Sequence, residues 1–223
     1  MQPARARILD DFPTPVAYTY ALVFDPRRSP SVRRWALCFT EYQALRLIGL
    51  ALVGQYLRAD LSAIDFERDK AAQTAVEKLN TAIAGVRAPF FSDWITLVET
   101  LRARLPALRV SPLFPGLDRA LTALSPREPR TFTLPGEPEL NPVRAILALR
   151  NATAHGGVPD EGVAERHLEE YLPVLHQVLD AFDFLGDARL LVLDPGGPGV
   201  ESGAALVREL RGARPGPPAV RDL

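Results

Sequence analysis

Arg150, Asn151 and His155 are the residues of this chain whose types and spacing could do chemistry. They lie in residues 141–157, NPVRAILALRNATAHGG. A guanidinium is a planar, permanently charged fork that fits two phosphate oxygens. Imidazole is the side chain whose proton moves near neutral pH, and an amide can orient that ring or hold a substrate oxygen. The pattern predicts that the three gather at the end of one short helix. Asn141 suits the N-cap, Pro142 takes a first-turn position whose N–H needs no partner, and Gly156 and Gly157 close the helix. Val143, Ile146, Leu147 and Leu149 recur at helical spacing as an apolar face. Asn151 and His155 then stand about 40° apart around the axis, while Arg150 is about 140° from His155 and long enough to curl round the helix end. The macrodipole at a helix C-terminus favours imidazolium, which would poise His155 as a proton donor. This is phosphate chemistry that calls for no metal and no cofactor. The same residues also fit a structural role, with Arg150 paired to a carboxylate of another helix and Asn151 and His155 capping the last carbonyls.

The segment RNATAH is an arginine followed by a polar residue, with four residues between arginine and histidine. It resembles the signature of HEPN domains (higher eukaryotes and prokaryotes nucleotide-binding), as do the AHGG that follows and the long helix after it. The resemblance is specific over residues 145–157 and general, as a helical pattern, over 31–186. It implies an all-helical bundle, often paired as a two-fold dimer. It further implies a metal-independent endoribonuclease of a toxin, abortive-infection or other defence system. Arg150 would hold the scissile phosphate, His155 would transfer protons, and Asn151 would assist. The 2′-hydroxyl of the RNA would be the nucleophile and a 2′,3′-cyclic phosphate the product. One RNATAH supplies one arginine and one histidine, so pairing two chains would double the charge around the phosphate. A homodimer is therefore expected, with RNA as partner and a further domain or partner protein as an addition. The alternative is a non-catalytic HEPN-like module that mediates dimerisation or binds a nucleotide or a protein. A third reading is a helical structural protein in which RNATAH is coincidental.

Composition sets the bounds. The chain has 223 residues, 47% of them hydrophobic, enough for one large domain or a domain with an appendage. Net charge is −1, so any nucleic-acid site must be a local patch. Cys38 is the single cysteine, which excludes an internal disulfide and a thiolate zinc site and suggests a packed thiol. The N-terminus lacks the apolar core of a signal peptide, and the apolar run 47–53 is too short to span a bilayer. A soluble, cytoplasmic protein is expected.

The elements that would position the motif follow. Residues 1–13 read as an exposed lead and 13–24 as a short apolar helix or extended arm, whose Tyr18 and Tyr20 fit either a nucleobase platform or packing onto the bundle. Arg27, Arg28, Arg33 and Arg34 form the densest basic cluster, which fits a phosphate-binding rim or a solvated helix end. Residues 31–57 form the longest helix, with Glu41 and Arg46 interrupting its apolar faces and Glu41 a candidate partner for Arg150. The acidic stretch 60–69 reads as a solvated loop. Helices follow over 71–83, over 92–105 with Ser92 as cap, and over 117–124, and residues 112–138 read as a proline-rich insertion or lid. A last helix starts at 159–161 and runs to about 185, with Pro173 expected to kink it. His167 and His176 on it are too far apart for a metal pair, and Tyr171 is a candidate neighbour of the motif. The chain then reads as an N-terminal arm (1–30), an up-and-down HEPN-like all-α bundle (31–186), a short β-hairpin appendage (187–210) and a linker-like tail (211–223).

Overall fold

The computed structural model describes residues 3–86, 90–111, 113–114, 116–123, 141–156, 160–194, 204–213 and 219–222. Side chains are described in these segments except at 3–4, 123, 153–156, 191–194, 204–208 and 219–222. Of the lid-like stretch expected over 112–138, residues 113–114 and 116–123 are described and the rest lies outside the described residues.

The chain is mostly helical. In order it forms α1 (Pro3–Asp11), α2 (Thr14–Val23), α3 (Pro30–Leu57), α4 (Lys70–Gly85), α5 (Phe91–Arg104), α6 (Leu117–Ala123), α7 (Pro142–Gly156) and α8 (Glu161–Ala181). Short 3-10 turns follow α5 (Leu105–Leu108) and α8 (Asp183–Asp187). Backbone pairing then places β1 (Leu191–Asp194), β2 (Ala204–Glu209) and β3 (Ala219–Asp222) in an antiparallel order β1-β2-β3, with Leu191 opposite Glu209 and Ala204 opposite Asp222.

Two compact units divide the chain, residues 1–41 with 131–223 and residues 42–130. The division falls inside α3, not at residue 30 or 187. In the first unit α1 packs on α2 and α7 on α8. The opening residues are not an exposed lead. Ile8 and Phe12, one turn apart, are 3% and 1% exposed, and each such burial stabilises by about 1.5–3 kcal/mol. Arg7 adds a bond to Asp183 at 2.5 Å. The residues after β2 fasten α1 from the other side. Gly212 N–H donates to the Phe12 carbonyl and Ala213 N–H to that of Leu9, both at 2.8 Å. Gly212 takes φ +71°, and a Cβ there would lie 3.0 Å from the Asp10 carbonyl oxygen, so glycine is required.

In the second unit α4 packs on α5 over an apolar core that includes Leu45, Ile48, Leu79, Trp94 and Leu101. Gly49 lets α3 approach Trp94, whose ring carbon would stand 2.9 Å from an added Cβ. The acids of the loop before α4 do local work. Asp60 and Asp65 accept turn N–H groups, and the Asp69 side chain caps α4 through Ala72 N–H at 3.0 Å. Ser92 does not cap α5. The cap is Phe90, because the Asp93 carboxylate reaches back to the Phe90 N–H at 2.8 Å and fixes the helix start two residues earlier.

α3, with 28 residues, is by length and composition apolar enough to cross a membrane, longer than the run 47–53 suggested, and 56% of its most apolar window is buried within the chain.

Candidate active site

α7 begins as its sequence requires. The Asn141 side chain accepts the Arg144 N–H at 2.8 Å, Pro142 is the first helical residue, and the helix runs unbroken to Gly156. Val143, Ala145, Ile146 and Leu149 are buried, and Leu147 is half-buried. Arg150 and Asn151 are therefore carried on a half-buried flank near the helix end. Arg150 Nη1 donates to Asn151 Oδ1 at 3.1 Å. The amide oxygen thus holds the guanidinium, a contact the sequence did not suggest. The backbone of His155 lies in the same helix, five residues on from Arg150, and its side chain lies outside the described residues.

Part of α3 supplies the ionisable surroundings of this flank. Arg34, Cys38 and Glu41, at i, i+4 and i+7, share one face of the helix and are 5%, 7% and 0% exposed. Burial pushes the Cys38 thiol up to about 12, and the Glu41 carboxyl pushes the same way while the Arg34 and Arg150 guanidiniums oppose it. Cys38 is an inert, packed thiol. Burial pushes the Glu41 carboxyl well above its usual range, in the direction of the neutral form. Among the described residues no partner lies within hydrogen-bonding distance of either Glu41 oxygen. The expected Glu41–Arg150 pair therefore does not form.

The four clustered arginines do not assemble into one rim. Arg27, whose side chain is 87% exposed, chelates Asp25 through Nε at 2.9 Å and Nη2 at 3.1 Å, and Arg28 stands 3.7 Å from the same carboxylate. Together they hold Asp25 below the usual carboxylate range. Arg33 donates to the Val23 carbonyl at 2.8 Å and faces Glu165 at 3.4 Å. Arg34 is buried, with Nη1 3.1 Å from His167 Nδ1 on α8. An arginine can only donate, so His167 accepts at Nδ1 and carries its proton on Nε2. Burial, then the Arg34 charge, lowers the His167 pKa. Tyr171 lies edge-on to that imidazole at 6.2 Å. His176, likewise, sits 2.8 Å from the Tyr20 hydroxyl, with burial lowering the imidazole pKa and pushing the phenol up to about 12.

Sequence reasoning missed the Arg34–His167 pair, which joins residues 133 apart. The available signal was the Arg34–Cys38–Glu41 spacing along one face of a largely apolar helix.

No protein-family model matches this chain, and no curated protein or solved structure does. The geometry stands by itself. It offers a guanidinium held by an amide on a half-buried helix flank, with a histidine later in the same helix. Such a set can bind a phosphate and exchange a proton.

Proposed function

We propose that this chain is a metal-independent endoribonuclease of the HEPN type, acting as a homodimer on RNA in the cytoplasm, with a defence or toxin role by analogy. The observation that carries the reading is RNATAH at the end of one capped helix, with Arg150 pinned by Asn151 on a flank that is only half covered. Arg150 neutralises the scissile phosphate as the 2′-oxygen attacks phosphorus. The 2′-hydroxyl proton passes to a base, the 5′-oxygen leaves, and His155 returns a proton to it, giving a 2′,3′-cyclic phosphate. The helix C-terminus favours the imidazolium this step requires. Two-fold pairing brings a second arginine and histidine to the phosphate. We read the antiparallel β-segment after residue 190 as a small appendage of the helical unit; its third strand, Ala219–Asp222, falls in the stretch 211–223 that the sequence suggested as a linker-like tail. We read α3 as a core helix of a soluble protein, because Arg34 and Glu41 are buried on it and Arg33 bonds from it to the chain's own groups.

A second reading is favoured by the basic cluster. Each of its four arginines already meets a carboxylate, a carbonyl or an imidazole of the same chain. A non-catalytic HEPN-like module for dimerisation or for nucleotide or protein binding would look the same. The test incubates labelled single-stranded RNA with the protein in EDTA, beside Arg150→Ala and His155→Ala. Cleavage by the wild type alone supports the nuclease, and an inert wild type supports the module.

A further inference from the structure

A cavity of about 510 Å³ opens in the first unit, away from Arg150, between α1, α2 and the residues after β2. Leu9, Ala21, Leu22 and Ala213 give it apolar walls, and the Ala213–Leu9 backbone bond at 2.8 Å fixes one side. Three further groups give it a chemical character. Tyr18, a large aromatic exposed to 52%, presents its ring there. Arg5 lies with its guanidinium carbon 3.7 Å from the centroid of Phe24, another lining residue. The Arg5 Nε–H is buried, with no acceptor among the described residues. Arg27 also lines the cavity, together with Asp25, the carboxylate it already chelates.

We infer that this cavity is a nucleotide subsite, with the base stacked on Tyr18 and its phosphate held by Arg5. An inorganic anion would need neither the apolar walls nor the volume, and an uncharged apolar ligand would leave the Arg5 guanidinium unanswered. A planar ring attached to an anion uses all of the lining, and every base offers a π face to an aromatic platform. The cation stacked on Phe24 is held flat and pre-set, which lowers the entropy lost when it grips a phosphate. The nucleotide can be free or one unit of an RNA strand. The subsite does not depend on the chemistry assigned to Arg150 and His155.

The test uses the full chain carrying His155→Ala, titrated calorimetrically with AMP, UMP, inorganic phosphate and a short single-stranded RNA. A nucleotide or the RNA binds, inorganic phosphate binds far more weakly, and Tyr18→Ala weakens binding by about five- to a hundredfold, the range of one base–aromatic stack. Tyr18 is exposed, so that variant keeps the fold. Arg5→Met weakens binding again and lowers the salt slope of RNA binding by about 0.7. AMP or UMP binding identifies a free nucleotide as ligand, whereas Tyr18-dependent binding of RNA alone identifies the strand. Binding of neither, equal affinity for inorganic phosphate, or an affinity unmoved by Tyr18→Ala overturns the inference.

Discussion

The two units of this chain bury different chemistry. Among the described residues, all the buried polar and charged side chains (Thr19, Arg34, Thr40 and Glu41) belong to the first, while those buried in the second, from Ala44 to Ala120, are apolar. The second unit is stabilised by generic means, area removed from water and close packing. Its polar side chains stay at the edge, as where Tyr56 bonds Asn80 and Arg102 bonds Asp118. The first unit keeps a guanidinium and a carboxylic acid inside, where each costs stability unless compensated. The burial of Arg34 is offset by His167, and that of Glu41 favours the protonated carboxyl. Groups held against local energetics concentrate where a protein does chemistry, and here they flank Cys38, whose thiol feels the Arg150 charge.

The largest contrast should come from the apolar core. Leu101→Ala in the second unit should lower the unfolding free energy by about 2–5 kcal/mol in urea titration, through lost transfer energy and a cavity. A loss much below that would show the second core to be loosely packed. The same measurement on Glu41→Met should give the opposite sign, a gain of about 1–4 kcal/mol at pH 8. The pH dependence gives a sharper reading. Because burial raises the Glu41 pKa above its ordinary 4.5, the stability from this group is complete below that pH and is lost as pH rises through the folded value. Glu41→Met should flatten this decline, and a wild type without the decline would mean that the carboxyl is solvated.

Next in size is Arg34→Met, which keeps the stem and removes the donor to His167. A loss of about 1–3 kcal/mol is expected, the penalty of an orphaned buried acceptor. The His167 pKa, read by NMR, should move up toward 6.5 because the guanidinium no longer opposes imidazolium. Smallest is Arg102→Ala in the second unit, which breaks an ion pair to Asp118, itself 65% exposed, and should change stability by about 1 kcal/mol or less. An effect as large as that of Arg34→Met would erase the distinction between the units.

What could be read from sequence was local. The Asn141–Pro142 start of α7 and its apolar face follow from capping and period, as do both ends of α3 and the Asp160 start of α8, whereas α8 ends at Ala181 and passes into a 3-10 turn short of the expected end near 185. α1 escaped detection because only Ile8 and Phe12 mark its inner face among arginines and acids, so its order comes from what it packs against. Ser92 lost the cap of α5 to Asp93 because a carboxylate reaching back competes with a hydroxyl at the same turn. Glu41 stood out as an acid in an apolar run, but its lack of a partner is a property of the folded interior. The division of the four arginines among Asp25, Glu165 and His167 depends on contacts up to 133 residues apart, which no local pattern encodes.

The claim at the centre is that Arg150 and His155 cut RNA. The most direct measurement is end-group analysis of RNA incubated with the purified chain in EDTA, with Arg150→Ala and His155→Ala shown to be folded by circular dichroism. The account expects 2′,3′-cyclic phosphate ends from the wild type and none from either variant. Intact RNA with the wild type, or the same ends from the variants, would contradict it.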